Sequence, residues 1–163
     1  MKKFILFVCM ALSTTFLYAH GNNITHTKKT DYSIENGKSL YYYGKNLDGE
    51  KIIPLGGPDW LGATGGSCVN CHNNNAQGNV AVISCSVKSA NISYDALTSD
   101  EHMKGMSKNH SHKNMYNTEK IKNAIKNGVT PDGKRLNDCM PKWQMSDKDL
   151  NDLVYFLKFV DKK

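Results

Sequence analysis

Apolar residues recur at helical spacing near both ends of the chain, and these segments predict its main elements. The first segment lies between Ser33, which can cap a helix, and Gly44, which can end one. Its apolar positions are Ile34, Leu40 and Tyr41. Gly37 inside this helix costs about 1 kcal/mol relative to alanine, and a glycine at such a place usually indicates the close approach of another helix.

Two further helices are predicted in the C-terminal part. Thr118 is expected to cap the first of them, which ends at Gly128. Its inner face consists of Ile121, Ala124 and Ile125. The last helix begins after Ser146, and Asp149 three residues later completes a pair like a capping box. Its apolar positions follow helical spacing and are Leu150, Leu153, Val154, Leu157 and Val160.

The chain between these helices has weaker patterns. Residues 46–66 predict a loop or short hairpin, because a turn signal is followed by glycines that interrupt regular elements. Residues 80–83 predict a short buried run, and residues 92–97 predict a single helical turn. Residues 137–144 are expected to be irregular. The chain has no internal repeat, and the pattern indicates one domain.

The N-terminal residues have the pattern of a secretory signal peptide. Two lysines after Met1 precede an apolar run, and cleavage is expected after Ala19. The alternative is an uncleaved membrane anchor, but the apolar run is shorter than the roughly 20 residues of a spanning helix. We therefore expect a cleaved signal over 1–19, a flexible leader over 20–32 and a single domain over 33–163.

The chemistry of the chain is indicated by Cys68, Cys71 and His72. Two thiols two residues apart, with a histidine directly after the second, form the attachment motif of c-type haem. The thiols can add to the two vinyl groups of a porphyrin, and the histidine can then bind the iron as proximal ligand. The alternatives are a disulfide within the motif or half of a zinc site. Export favours haem, and zinc ribbons need two cysteine pairs of this kind.

A second axial ligand is expected from the other side of the haem. Met140 is the best candidate because Pro141 stiffens the backbone beside it, and a thioether favours ferrous iron and raises the reduction potential. The alternative for Met140 is a role as core filler. Met145 is its rival as ligand, although it lies just before the helix cap and is expected to pack in the core.

The order of these segments resembles that of class I, mono-haem c-type cytochromes. The matching segments are residues 37–41, 68–72, 121–136, 140–143 and 146–157. The resemblance implies an all-α cytochrome c fold with crossing N- and C-terminal helices, haem attached through CxxCH, and a loop-rich insertion before the motif. It also implies one covalently bound haem c, attached to Cys68 and Cys71, with His72 and Met140 as axial ligands.

The chain departs from the family pattern beside the motif. The family often has glycine directly after the haem histidine, where this chain has Asn73. A proline that commonly supports the histidine through its carbonyl group is missing from the next dozen residues. The acceptor for the second ring nitrogen of His72 therefore stays open. Trp60 is expected in the core, with the alternative that its indole N–H binds a haem propionate.

Two features lie outside the resemblance. Cys85 and Cys139 are predicted to form a disulfide, since two leftover cysteines in an oxidising compartment usually pair; the alternative is two buried free thiols. The run 102–115 is rich in methionine and histidine, which suit copper. Its alternatives are a solvated basic loop or a histidine that serves as distal haem ligand.

The resemblance and the predicted signal peptide together imply a periplasmic electron carrier. It would cycle one haem between Fe(III) and Fe(II), and it would not be an enzyme in its own right. The alternatives are a sensor or peroxidase-like enzyme with a displaceable distal ligand, or a haem subunit of a redox complex. Without the signal peptide the formal charge falls from +6 to +4, a moderate excess that does not suggest a nucleic-acid binder. We expect a monomer that docks to redox partners, or weakly to a membrane surface, through lysines such as Lys134, Lys142, Lys104 and Lys113.

Overall fold

A computed structural model describes residues 31–99 and 115–162. These residues form a mostly helical structure, which agrees with the predicted helical class, and two short strands add to it. The elements in chain order are α1 (Ile34–Tyr43), β1 (Ile53–Leu55), α2 (Asp59–Thr64), α3 (Val69–His72), α4 (Tyr94–Thr98), α5 (Thr118–Asn127), β2 (Lys142–Gln144) and α6 (Asp147–Phe156). The predicted signal peptide over 1–19, most of the leader and the copper-binding candidates from His102 to His112 lie outside the described residues.

Local capping sets the bounds of the long helices. The Ser33 hydroxyl accepts a hydrogen bond from the Asn36 N–H at 3.1 Å, and Gly44 ends α1 in the left-handed conformation. Ser146 caps α6 in the same way, with the Asp149 N–H at 3.1 Å from its hydroxyl. The predicted ends of α1 and the start of α6 are therefore confirmed. The cap of α5 is Asn117, one residue before the predicted Thr118.

Helix α6 is shorter than its apolar spacing predicts. It ends at Phe156, and the following residues form turns with N–H groups bonded three residues back, as in Phe159 to Phe156. Leu157 and Val160 are nevertheless buried. The periodicity thus identified the inward-facing residues correctly but extended the regular helix by one turn too many.

Helices α1 and α6 pack directly against each other. A Cβ at Gly37 would collide with the Asp152 carbonyl oxygen and with Phe156, so only glycine fits there without a shift of α6. Tyr41 is fully buried and its ring lies 5.6 Å from that of Phe156. The expectation that Gly37 allows a helix to approach closely is confirmed by this contact.

The loop-rich region before the motif is more regular than predicted. Helix α2 forms in spite of its glycine at position 62, because Leu61 is buried in the core. Strand β1 pairs antiparallel with β2, and Pro54 lies opposite Trp143. Residues 142–144, which were expected to be irregular, therefore belong to a sheet. The cause is tertiary, since the partner strand is about ninety positions away in the sequence.

The buried cluster joins α1, α5, β2 and α6 into one core. Its members are Leu40, Tyr41, Ile52, Leu61, Ala76, Ile121, Trp143, Leu150, Leu153, Val154, Phe156, Leu157 and Val160. Val82 is also buried, but its neighbour Ile83 is 75% exposed, so the predicted buried run at 80–83 is only partly correct. Among the helices of residues 31–99 and 115–162, none has both the length and the apolar character required to span a bilayer.

Candidate functional site

A cavity of about 660 Å³ lies beside this core. Its volume falls in the range of ligand and cofactor sites. The predicted haem-attaching residues Cys68, Cys71 and His72 line it, and so does Met140. His72 and Met140, which are 68 positions apart in the chain, thus line the same cavity. A prosthetic group held by both residues requires this arrangement.

The CxxCH motif forms a single helical turn. The Cys68 carbonyl oxygen accepts hydrogen bonds from the N–H groups of Cys71 at 3.2 Å and His72 at 2.9 Å. Residues at positions i, i+3 and i+4 share one side of a helix, so both thiols and the imidazole lie on the same side. Before the turn, the Asn70 side-chain oxygen accepts from the Ser67 N–H at 2.8 Å and fixes the entry of the chain.

Asn73 ends this turn in the position where the family often has glycine. Its φ is 69° and its ψ is 168°, a combination that is otherwise adopted almost only by glycine. Its N–H donates to the Val69 carbonyl oxygen at 3.1 Å, and its own carbonyl accepts from the Tyr41 hydroxyl at 2.6 Å. The turn therefore keeps, with asparagine, a backbone conformation for which glycine is the usual residue.

The two thiols of the motif are unpaired in the structure. Burial raises the pKa of the Cys68 thiol to about 12 and also raises the pKa of Cys71. Both side chains are therefore protonated thiols at neutral pH. Neither thiol is consumed by a disulfide within the motif, so both can form thioethers.

His72 is buried, and its ring is oriented by a backbone carbonyl. Its Nδ1 lies 2.9 Å from the Ala90 oxygen, which leaves Nε2 as the nitrogen available to a metal. Burial lowers the pKa of His72, so the imidazole is neutral, which is the form that ligates iron. Ala90 thus supplies the acceptor that the sequence left open.

A short hairpin over residues 78–90, here called the proximal hairpin, brings this carbonyl to His72. Its backbone bonds include Asn79 N–H to Ser89 oxygen at 2.9 Å and Val82 N–H to Val87 oxygen at 3.1 Å. Gly78 begins it with φ of 65°, and a Cβ there would collide with the Ala90 carbonyl. The close packing of residue 78 against the Ala90 carbonyl therefore requires glycine at this position.

Met140 lies in residues 137–141, here called the distal loop. This loop is held in place from two sides. Within it, the Met140 N–H donates to the Asn137 carbonyl at 2.9 Å. After it, β2 begins at Lys142 and pairs with Leu55 of β1. Gly57 lies so close that a Cβ there would stand 3.1 Å from Pro141. The insertion before the motif therefore supports the loop of the candidate distal ligand.

Two other methionines differ in their relation to the cavity. Met145 packs against the core and is absent from the cavity lining, as expected for a packing residue. Met115 does line the cavity, at the described end of the 102–115 run. From the sequence, Met115 was a candidate only as a copper ligand, because nothing in its spacing indicated that it lies near His72.

Cys85 and Cys139 form a disulfide. Cys85 lies in the proximal hairpin, and Cys139 lies in the distal loop and also lines the cavity. Trp60 contacts the same hairpin, since its indole N–H donates to the Ile83 carbonyl at 3.3 Å. The indole hydrogen that was considered for a propionate is therefore used within the protein.

The rest of the cavity wall is mostly apolar, with a few polar groups. Apolar lining residues include Leu97, Ile121, Leu136, Trp143 and Leu153, and polar ones include Ser67, Lys88, Asn91, Tyr116 and Asn137. Such a wall suits a large, flat apolar group with a polar edge. No cluster of three or more side chains that could hold a bare metal ion occurs within residues 31–99 and 115–162.

The candidate docking lysines have different surroundings. Lys134 forms an ion pair with Asp132 at 3.0 Å, so its charge is partly compensated. The stem of Lys142 lies beside Gly128, at the start of β2. Lys104 and Lys113 lie outside the part of the chain that the structure describes.

Comparison with known families agrees with this site. The family model for cytochrome c matches residues 62–161, which include the CxxCH motif, Met140 and α6. The chain belongs to the cytochrome c family. Membership indicates haem as the cofactor and electron transfer as the activity. Searches of curated proteins and of solved structures returned no match.

Proposed function

We propose that this protein is a periplasmic electron carrier with one haem c, attached through Cys68 and Cys71 and ligated by His72 and Met140. The observation that supports it most directly is the single cavity lined by all four side chains. The close contact of α1 and α6 at Gly37 supports the crossing of terminal helices that the cytochrome c fold implies. Export would follow from the signal peptide predicted over 1–19.

The residues of the site have separate tasks in this proposal. When bound, haem iron supplies a one-electron couple between Fe(III) and Fe(II). The thiols of Cys68 and Cys71 anchor the porphyrin covalently, so its position does not depend on affinity. The Ala90 carbonyl holds the proton on Nδ1 of His72, which orients the ring and directs Nε2 to the metal.

The cavity wall and Met140 set the redox properties. A neutral thioether stabilises ferrous iron relative to ferric iron, and an apolar wall penalises the extra positive charge of the ferric state. Both effects raise the reduction potential. The polar lining residues leave one part of the wall suitable for the haem propionates.

The first test concerns Met140 as the distal ligand. The wild-type ferric protein is expected to show the weak charge-transfer band of methionine-bound haem, and Met140→Ala should lose that band. The potential of the variant should fall, because the thioether no longer favours ferrous iron. A pyridine haemochrome spectrum with intact mass establishes covalent haem attachment and the signal cleavage in the same sample.

Two matched controls sharpen this test. Met145→Ala should keep the band, because Met145 packs outside the cavity. Met115→Ala should also keep it, although Met115 lines the cavity. Loss of the band in Met115→Ala but not in Met140→Ala would assign the distal ligand to Met115. A wild-type ferric protein that is high-spin and binds cyanide at once would instead indicate a sensor or enzyme.

We further propose that the carrier works as a monomer with soluble or membrane-bound donors and acceptors. The positive formal charge supports weak docking to acidic partners near the haem edge. Co-purification at low ionic strength tests whether the protein is instead a fixed subunit of a larger redox complex. A stoichiometric complex that survives high salt would contradict a freely exchanging carrier.

A further inference from the structure

The Cys85–Cys139 disulfide joins the two segments that hold the candidate axial ligands. Cys85 lies in the proximal hairpin, whose last residue Ala90 accepts the hydrogen bond from His72. Cys139 directly precedes Met140 in the distal loop. One covalent bond therefore connects the support of the proximal ligand with the neighbour of the distal ligand.

The hydrogen bonds of Cys139 and Met140 are local, although Pro141, at the end of the distal loop, lies close to Gly57. The Met140 N–H and the Cys139 N–H both bond to Asn137, at 2.9 Å to its backbone and side-chain oxygens respectively. Asn137 and Asp138 are exposed, and Cys139 and Met140 are half-buried. Segments with such local bonding and partial exposure open at low free-energy cost while the rest of the fold stays intact.

The proximal hairpin connects this loop, through the disulfide, to the residue that supports His72. Its backbone ladder runs from Asn79 to Ser89, Gly78 packs against the Ala90 carbonyl, and Val82 is buried. The Trp60 indole also bonds to it. A bond from Cys139 to this hairpin therefore restrains the distal loop against an element that is itself tied to His72.

We propose that the Cys85–Cys139 disulfide is a positioning element that keeps the Met140 thioether at the haem iron. The proposal rests on Met140 being the distal ligand. A tethered distal loop would keep the Met140 thioether at high effective concentration on its side of the haem site. Without the tether, the loop would open more often and a competing ligand would gain access to the same site.

The test is a titration of the ferric holoprotein with imidazole, which competes with methionine for the iron. The variant is Cys85→Ser combined with Cys139→Ser, because a single substitution would leave a thiol near the haem that can itself bind iron. Apparent imidazole affinity rises in proportion to the population of the open state. We expect at least about a tenfold gain in affinity for the double variant, at a temperature where its helical circular dichroism is unchanged.

A matched control separates positioning from general destabilisation. Val154→Ala removes buried methyl groups on α6 at a position absent from the cavity lining. It lowers global stability without touching either segment joined by the disulfide. Its imidazole affinity should equal that of the wild type. Equal affinities for the wild type and the double variant, or an equal gain in Val154→Ala, would overturn the proposal.

A second preparation tests the proposal even if the double variant folds poorly. The disulfide of the folded wild-type holoprotein is cleaved with a phosphine, both thiols are alkylated and the haem is reoxidised before the same titration. The same gain in affinity is expected, and an unchanged affinity would again contradict the positioning role. If Met140→Ala leaves the charge-transfer band intact, the ligand assignment fails first and the positioning proposal fails with it.

Discussion

At the scale of single residues, the orientation of His72 depends on two backbone carbonyl groups. Ala90 accepts from the ring, and Asn73 receives the Tyr41 hydroxyl at 2.6 Å, which fixes the turn after the histidine. Burial raises the pKa of Tyr41 far above its usual value, so the phenol stays a donor at all working pH values. Neither carbonyl is a side-chain feature, so the sequence alone did not identify them.

Gly78→Ala tests the importance of the Ala90 carbonyl. The new Cβ would collide with the Ala90 peptide in a left-handed backbone, so the acceptor must move away from His72. We expect a loss of about 2–4 kcal/mol in the free energy of unfolding, as the left-handed penalty and the steric clash combine. Denaturant unfolding of the holoprotein measures it.

Gly133→Ala is the matched control for this prediction. Its φ of 83° is also left-handed, but a Cβ there has no neighbour within 4 Å among the described residues. It should cost only the backbone penalty of about 1–2 kcal/mol. Equal losses for the two variants would mean that contact with Ala90 contributes nothing.

At the scale of elements, a buried polar network connects α1 with α6. The Asn36 amide donates to Asp149 and to Asp152 at 2.8 Å each. Asp152 also accepts from the Ser33 N–H at 3.0 Å and from Lys148 at 2.7 Å. Because both carboxylates are buried, their hydrogen bonds are required to offset desolvation. The network therefore specifies how the two helices align beside Gly37.

Asp149 makes the helix pair sensitive to acid. Burial alone would raise its pKa, but hydrogen bonds from Asn36, Ser146 and Asn46, with Lys148 nearby, outweigh burial and lower the pKa below its usual value of 3.8. Because the folded-state pKa is depressed, this stabilisation is present above the unfolded-state pKa. It is lost as the pH falls through the lower folded-state value.

Asp149→Asn should therefore reduce stability at neutral pH and flatten its dependence on pH below about 4–5. Urea unfolding over a pH series measures both effects. Asp48→Asn, at an exposed turn residue, is the control and should leave the profile unchanged. A variant of Asp149 with the same acid-induced loss as the wild type would show that the carboxylate does not contribute.

At the scale of the whole molecule, local signals were predictable and long-range ones were not. Ser33, Gly44 and Ser146 define helix ends through neighbours within four residues, so the sequence contained the full information. Strand β2 and the Ala90 acceptor depend on segments that are distant in the chain. The CxxCH turn was predictable because haem attachment requires that spacing of cysteines and histidine. No sequence pattern indicates that Met115 lines the cavity.

The net charge also acts at this scale. After cleavage of the predicted signal peptide, which contains Lys2 and Lys3, the formal charge would be +4, and the protein should react faster with anionic than with neutral redox reagents of equal driving force. The difference should shrink as the ionic strength rises toward 0.1 M, where the screening length is about 10 Å. Stopped-flow reduction of the ferric protein measures it, and equal rates at low salt would contradict electrostatic steering.

The four cysteines near the cavity also constrain how the protein matures. Four thiols can form about six different single disulfides, and only Cys85–Cys139 leaves both Cys68 and Cys71 free for thioether formation. If the chain is exported, as residues 1–19 predict, haem attachment would compete kinetically with disulfide formation in an oxidising compartment. Chains in which Cys68 or Cys71 is oxidised first cannot receive haem until a reductant reopens them. The disulfide thus makes the yield of holoprotein depend on the order of oxidation steps during assembly.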